Sequence, residues 1–489
     1  MSRKMTLRIL ILIPFLAFSN LVFGQGNLTL YNMKTIPQRI YTNPARQSDA
    51  KNFLAMPVIS SQYLNFSNSA FSLNSILSAV EEGPGSSTLN INKVGDIFQA
   101  ENYIGLDHSM DLLSMGFKIK KKTYLYLTSS LNQQFRFTYP GDFFDLITQG
   151  NGGDNLNRTF DLAFGVDFLQ YMDAGIGINR TFLGDKLTIG ARYRWLKGLN
   201  VVHTERNAVT FRTDPQTFDL TATSDIMINV ASSVFIADSL NQIDPGDGEK
   251  TRSNGYFTKP NTGSALDFGV EFRPTKKLTF SAAVNNLGKI NWDQTSFSYG
   301  SKTPGATYTF QGVHVDDIFN EEADFNQALE RVKDTLEERF QLEERSATFT
   351  TNLFAEMYVG GQFNLSKDHN AGLLFYGDFY NKKLYPAFTV SWNSKLTNLL
   401  AVSASYTARS NSYVNLGLGL SINLGPFQFY AVSDNVGGVF APMDVKNLNL
   451  RTGFNLAMQR KDPNAKADKQ AKKEEKKQKK EEEKKAKNQ

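Results

Sequence analysis

Alternation dominates the chain. From Val414 to Leu424, Val414, Leu416, Leu418, Leu420, Ile422 and Leu424 take every second position, with Asn415, Gly417, Gly419, Ser421 and Asn423 between them. Successive side chains of a strand point to opposite faces, so this stretch predicts a strand with one apolar face and one small or polar face. The pattern recurs. Leu187, Ile189, Ala191, Tyr193 and Trp195 oppose Thr188, Gly190, Arg192 and Arg194, and Leu266, Phe268, Val270 and Phe272 oppose Asp267, Gly269, Glu271 and Arg273. Phe388, Val390 and Trp392 oppose Ala387, Thr389 and Ser391, and Leu448, Leu450, Phe454 and Leu456 oppose Asn447, Asn449, Arg451 and Asn455. Brief turns join such segments at Gly184-Asp185, Pro274 to Lys277 and Gly425-Pro426.

Two all-β architectures alternate in this way. A soluble sandwich of this size needs long Greek-key links, whereas segments of about ten residues joined by brief turns are the mark of a membrane barrel, apolar towards lipid and polar towards the lumen. The expected fold is an all-β transmembrane antiparallel β-barrel of about 14 strands, closed because lipid tolerates no free strand edge. It is expected to occupy residues 52–460. Trp195, Tyr385, Trp392 and Tyr406, near strand ends, are read as interfacial girdles. With both termini periplasmic, the turns at Pro274 to Lys277, Lys395 to Asn398 and Gly425-Pro426 fall on that side. The longer links Tyr139 to Met172, Ala237 to Gly263 and Lys289 to Thr350 then lie outside.

Charge on the lipid face is costly, so Arg192, Arg194, Asp267, Glu271, Arg273, Asp378 and Arg451 are assigned to the lumen. They either pair to fill it or line a polar pathway.

The ends differ from the body. In residues 1–24, Arg3, Lys4 and Arg8 precede an apolar stretch from Ile9 to Phe18, and Val22 and Gly24 precede a cut at Gln25. This is a secretory signal peptide, the stretch being short for a membrane anchor. Residues 25–51 are polar and carry Pro37 and Pro44. Residues 461–489 form a Lys/Glu-rich tail, expected to hang in the periplasm, where it either only solubilises the chain or meets peptidoglycan, the membrane surface or another envelope protein. The net charge is +5. The tail carries +5 and the signal +3, so the body carries −3 and nothing points to nucleic acid. The 489 residues include no Cys, which removes disulfides, thiolate metal sites and a lipid-modified N-terminal cysteine.

One helix is expected, over residues 315–345 in the outer link. Ile318, Phe325, Leu329, Val332, Leu336 and Phe340 recur at helical spacing, and Asp316, Asp317, Glu321 and Glu322 sit at its start, where the dipole favours acids. It is either packed on its own barrel or a lid over the mouth.

Catalytic chemistry finds little purchase. His108, His203, His314 and His369 are not paired at metal-ligand spacing. A Ser-His hydrolase through His203 and Ser281 needs a proximity that spacing along strands does not show. Asp244, Asp247 and Glu249 with Gly246 and Gly248, and Asp154, Asn155 and Asn157, offer oxygen ligands but match no calcium loop. No enzyme activity, metal or cofactor is expected.

The start of the mature chain, Thr35-Ile36-Pro37-Gln38-Arg39-Ile40-Tyr41-Thr42-Asn43-Pro44-Ala45, resembles the Asn-Pro-Ala box of the outer-membrane long-chain fatty-acid transporter family. It is still more similar to a group of uncharacterised Gram-negative barrels distantly akin to that family. Gly425 to Asn435 and Asn449 to Phe454 carry the same likeness, which extends loosely over residues 25–460. It implies a 14-strand barrel with an N-terminal segment plugging the lumen, in which Asn43, Pro44 and Ala45 seat the plug. The polar N-terminal segment and the basic tail depart from the transporter pattern. Two functions follow as expectations: passage of small hydrophobic solutes across the outer membrane, or a structural or accessory part of an outer-membrane assembly or secretion complex. The partner common to both is outer-membrane lipid.

Overall fold

The structure, a computed structural model, describes residues 26–459 except 84–85, 91–92, 94, 96, 120–121, 234–260, 311–333, 335–337, 381–382, 410–411 and 442. The expected signal peptide, the tail, the loop around Asp244 to Glu249, His314 and most of the 315–345 helix lie outside the described residues.

Fourteen antiparallel strands close into a barrel. They are β1 (Ala50–Ala55 and Gln62–Asn68), β2 (Glu101–Ile119), β3 (Thr123–Pro140), β4 (Gly165–Phe182) and β5 (Leu187–Thr213). Next come β6 (Leu220–Ser232 and Asn261–Phe272), β7 (Leu278–Trp292, Ser296–Ser301 and Ala306–Phe310) and β8 (Leu342–Ser346, Phe349–Asn352 and Ala355–Asn364). The last are β9 (His369–Tyr380), β10 (Lys383–Lys395), β11 (Leu400–Arg409), β12 (Ser412–Leu424), β13 (Phe427–Ser433) and β14 (Asn447–Gln459). Each pairs with its neighbour in sequence. Closure comes from β1 against β14, with Phe53 opposite Ala457 and Leu64 opposite Leu450. The barrel therefore begins at Ala50, two residues before the expected boundary.

The alternation maps onto the wall. Outward-facing Ile189, Trp195, Phe268, Leu373, Val390, Leu416 and Leu418 are exposed, whereas Arg192, Arg194, Asp267, Thr389, Ser391 and Asn415 between them are buried. A belt of exposed Leu, Ile, Val and Phe needs hydrocarbon as solvent, since a water-soluble chain rarely shows an apolar patch of such extent. Among the described residues no helix is long and apolar enough to cross a membrane; the strands do so.

Three expectations are corrected. Tyr385 is 2% exposed and packs inside with Tyr103 and Tyr380, while Trp195, Trp392 and Tyr406 face outward. Tyr385 shares the parity of inward-facing Ala387, and that outweighs the preference of tyrosine for interfaces. The outer links are also shorter than the pattern implied, because Lys289–Trp292, Ser296–Ser301, Ala306–Phe310 and Leu342–Ser346 are strand. The ladder continues above the lipid, where outward positions such as Thr204 and Asn207 no longer need to be apolar. Finally, Leu342–Ser346 pairs with Phe297–Ser301, so the helix does not extend to Arg345; Asp334, Glu338 and Arg339 are helical.

The wall is uneven. β5 has 27 residues and β11 has 10. About ten tilted residues span a bilayer, so about 17 of the 27 residues of β5 rise beyond it. The end where β1 begins and β14 finishes has, among the described residues, only short turns, at 183–186, 273–277, 365–368, 396–399 and 425–426.

Candidate functional site

Residues 26–49 run inside the barrel and are mostly buried, with a short 3-10 helix at Pro37–Tyr41. The segment is short, polar and proline-containing, so it forms little structure of its own; inward side chains of the wall satisfy its backbone. The Asp434 carboxylate accepts from the Leu28 and Thr29 amides at 3.0 and 2.7 Å. Gln428 donates to the Thr35 carbonyl at 2.7 Å, and Asn285 donates to the carbonyls of Tyr41 and Thr42 at 3.1 and 3.0 Å. Gln38 and Asn455 exchange two hydrogen bonds of 2.7 and 2.9 Å. Arg46 pairs with Glu271 at 3.0 Å, both nearly inaccessible. Burial, then the neighbouring Arg39, lowers the Lys34 ammonium to about 8.

The Asn43-Pro44-Ala45 turn lies against β5 and β6. The Asn43 amide donates to the Ala282 carbonyl at 3.2 Å, its oxygen accepts from the Ala45 amide at 2.9 Å, and Asn179 donates to the Pro44 carbonyl at 3.0 Å. Approach this close requires glycine in the wall. A Cβ on Gly190 would lie 2.4 Å from the Pro44 carbonyl, and one on Gly269 would lie 2.1 Å from Asn43 Oδ1.

Beyond the segment lies a polar cavity lined by Asp107, Asp111, Arg136, Arg192, Arg194, Glu356, Asp378 and Arg451 among others. Its walls are stiffened by ion pairs. Arg192 and Arg194 both reach Asp267, at 2.6 and 3.1 Å, and Arg194 also reaches Asp173 at 3.2 Å. A β-bulge sets this up. Asn286 adopts φ of 62°, which asparagine tolerates, so its amide donates to Asp267 Oδ1 at 2.7 Å and its side-chain oxygen accepts from Arg194 at 2.6 Å. Arg136 forks onto Asp107 at 2.8 and 3.1 Å.

A second cavity lies towards the far end between Leu169, Val201, Leu353, Phe379, Tyr380 and their neighbours. Phe354 lines both cavities. The Arg136 guanidinium lies 5.7 Å above its ring and Tyr380 meets it edge-on at 5.1 Å.

The structure thus brings Arg192, Arg194 and Asp267 together, and Glu271 with Arg46. Asp378 and Arg451 line the polar cavity. Arg273 stands apart: it lies past the end of β6 in a turn, 41% exposed, with its guanidinium on Glu271. Asp107, Asp111, Arg136, Asp173 and Glu356 were missed by sequence reasoning, although all sit on strands. On β2 a bulge between Asp111 and Leu113 switches the phase, so outward residues pass from Leu106 to Leu113 and Phe117 and the alternation looks broken. His203 and Ser281 do not meet. Ser281 pairs with Glu271, which pairs with Thr188. His203 is 15 residues further along β5, about 50 Å at about 3.3 Å per residue. Asn155 and Asn157 use their side-chain oxygens for Arg158 and Arg212. Among the described residues no group of carboxylates and histidines is placed to hold a metal ion.

A search of curated proteins finds no match to the chain. Among solved structures the barrel is similar to the Pseudomonas putida toluene transporter TodX, at 8% identity over 89% of this chain and 93% of that one, TM-score 0.36. It is similar to the Ralstonia pickettii toluene transporter TbuX, at 10% identity over 90% and 96%, TM-score 0.39. It is also similar to a Pseudomonas aeruginosa FadL homologue, at 10% identity over 90% and 100%, TM-score 0.42. A family model covers residues 44–434, from the Pro44-Ala45 turn to β13, and by that match the chain belongs to the family of unknown function DUF5723.

Proposed function

We propose that this protein is an outer-membrane passage for small solutes with an apolar body, its termini and tail on the periplasmic side and the tall wall of β5 to β8 outside. No catalytic step is part of this reading. The observation that carries it is the series arrangement of two cavities sharing Phe354 and stopped by residues 26–49. Solute enters the more apolar outer cavity, passes Phe354 and reaches the polar one; displacement of the N-terminal segment completes the path. That segment joins the wall through side chains rather than through strand pairing, so it can leave without opening the barrel. Asn43, Pro44 and Ala45 are its seat, the ion pairs of Arg192, Arg194, Asp267 and Glu271 hold the wall around it, and Arg451 bonds Asn27 of the segment. The test is benzyl alcohol uptake into proteoliposomes. Deletion of residues 26–46 is expected to raise uptake and open an ionic conductance, and Phe354→Ala to raise uptake alone. Equal, background uptake by all three proteins defeats the reading.

A second reading, an accessory subunit of an envelope complex, is favoured by the wall of β5 to β8 above the lipid, which is a surface rather than a route. Peptidoglycan or another envelope protein at the tail fits it equally. Mild-detergent purification returning the barrel alone counts against it.

A further inference from the structure

We propose that Glu356 and Asp378, with the ring of Tyr376, form a binding site in the polar cavity for a protonated amine carried on an apolar body. This deepens the passage reading and rests on it for the route of entry. Glu356 on β8 and Asp378 on β9 are direct cross-strand partners, and both line the cavity. Two carboxylates directly opposite on one face destabilise a strand pair unless something positive lies between them. Nothing in the wall does so: among the described residues neither forms an ion pair. Glu356 accepts from the hydroxyls of Tyr376 and Tyr358 at 3.2 and 3.3 Å. Asp378 is 4% exposed, and its Oδ1 has no hydrogen-bond partner. A buried carboxylate oxygen without a donor is rare, because that oxygen has lost its water and received nothing in return.

The neighbouring guanidiniums act on Asp378 through space, and among the described residues none is within ion-pair distance of either acid. Asp107, Arg136 and Arg409 surround Asp378, and Asp107 also acts on Glu356. Arg136 is already forked onto Asp107. Of the other cavity guanidiniums, Arg192 and Arg194 are tied to Asp267, and Arg451 donates to Asn27 and Ser61.

A metal ion does not fit, since among the described residues no third acid or imidazole is placed to complete a shell. An ammonium does. It brings three donors, enough for Asp378 Oδ1 and a Glu356 oxygen, and it is attracted to an aromatic face. The cavity already uses that attraction, with Arg451 4.6 Å above the Tyr63 ring. The outer cavity, with Leu169, Val201, Leu353 and Phe379, selects the apolar body.

The experiment is calorimetric titration of the full-length mature protein in detergent near neutral pH with benzylamine, benzyl alcohol and benzoate. Benzylamine is expected to bind at least about tenfold more tightly than the alcohol, with benzoate weakest. Asp378→Asn is expected to remove that preference, and Glu356→Gln to reduce it. If Asp378→Asn does not fold, judged by heat-modifiable migration, Glu356→Gln and the wild-type comparison still decide. Equal affinity for amine and alcohol means that the two acids share a proton instead, and overturns the site; so does tightest binding of benzoate, or an unchanged preference in the folded variants. Uptake of benzyl alcohol without amine preference defeats this inference and leaves passage standing. Amine preference without uptake does the reverse.

Discussion

Replacing Arg46 with Met should unlatch the N-terminal segment while leaving the barrel intact. Arg46 is 1% exposed. Its Nε donates to Glu271 at 3.0 Å, its other nitrogens reach the Tyr31 carbonyl, Asn32 Oδ1 and Gln362 Oε1, and its guanidinium lies 4.1 Å above the Tyr31 ring. Removing one partner of a buried ion pair costs about 3–5 kcal/mol, because the other is left buried and uncompensated. Arg273 remains beside Glu271 but is partly exposed, which softens the loss to about 2–3 kcal/mol. At about 1.4 kcal/mol per tenfold, the released population rises about 30- to 150-fold. The chain has no cysteine, so Ser48→Cys, at a site 3% exposed, gives a single reporter thiol. Its maleimide labelling rate in detergent follows the released fraction when opening and closing are fast. Arg46→Met should accelerate labelling by that factor. Adding Glu271→Gln should recover part of the protection, because no naked charge remains. Labelling within about twofold of the Ser48→Cys background would refute the latch, since it corresponds to under about 0.5 kcal/mol.

The same reporter tests the glycine seat. Gly269→Ala forces a methyl onto Asn43 and should cost about 1–3 kcal/mol and speed labelling, whereas Gly361→Ala, with nothing within 4 Å, should not. Lys34 predicts a pH dependence. Its ammonium is held near 8 when seated against 10.5 when released, so between those values the released segment carries the extra proton. Seating therefore strengthens as pH rises through this window and is weakest at and below its lower edge. Labelling corrected for thiol ionisation should fall accordingly, and Lys34→Met should flatten the slope. On the outer face, Leu418→Arg, at a site 51% exposed, should lower stability to urea in bilayers by about 2–4 kcal/mol, and Leu418→Phe by under about 1 kcal/mol.

How much of this was legible depends on where hydrocarbon acts on the sequence. Leu187 to Trp195, Leu266 to Phe272 and Val414 to Leu424 carry clean alternation because lipid lies on one side and the lumen on the other, and the barrel follows from them. Where lipid ends the signal ends, although the backbone ladder of Ser296–Ser301 with Leu342–Ser346 does not. The bulges at Asp111 and Asn286 add one residue and flip the phase, which hid Asp107 and its Arg136 partner. Arg194 and Asp267 were visible separately as inward charges, but their meeting depends on the β5 to β6 register. The pairing of Glu356 with Asp378 likewise belongs to register, which local composition does not encode. The Asn-Pro-Ala turn stood out as a motif, whereas the two wall glycines that receive it are ordinary small residues in their strands.

The central claim is that alternate residues of each strand face hydrocarbon and a closed lumen. Spin labels on single cysteines at successive positions of β12, from Asn415 to Ser421, in lipid vesicles test it most directly. The account predicts a period of two, with positions 416, 418 and 420 accessible to oxygen and shielded from a water-soluble nickel reagent, and positions 415, 417, 419 and 421 showing low oxygen access. Uniform access along the run, or nickel access at 416 and 418, contradicts it.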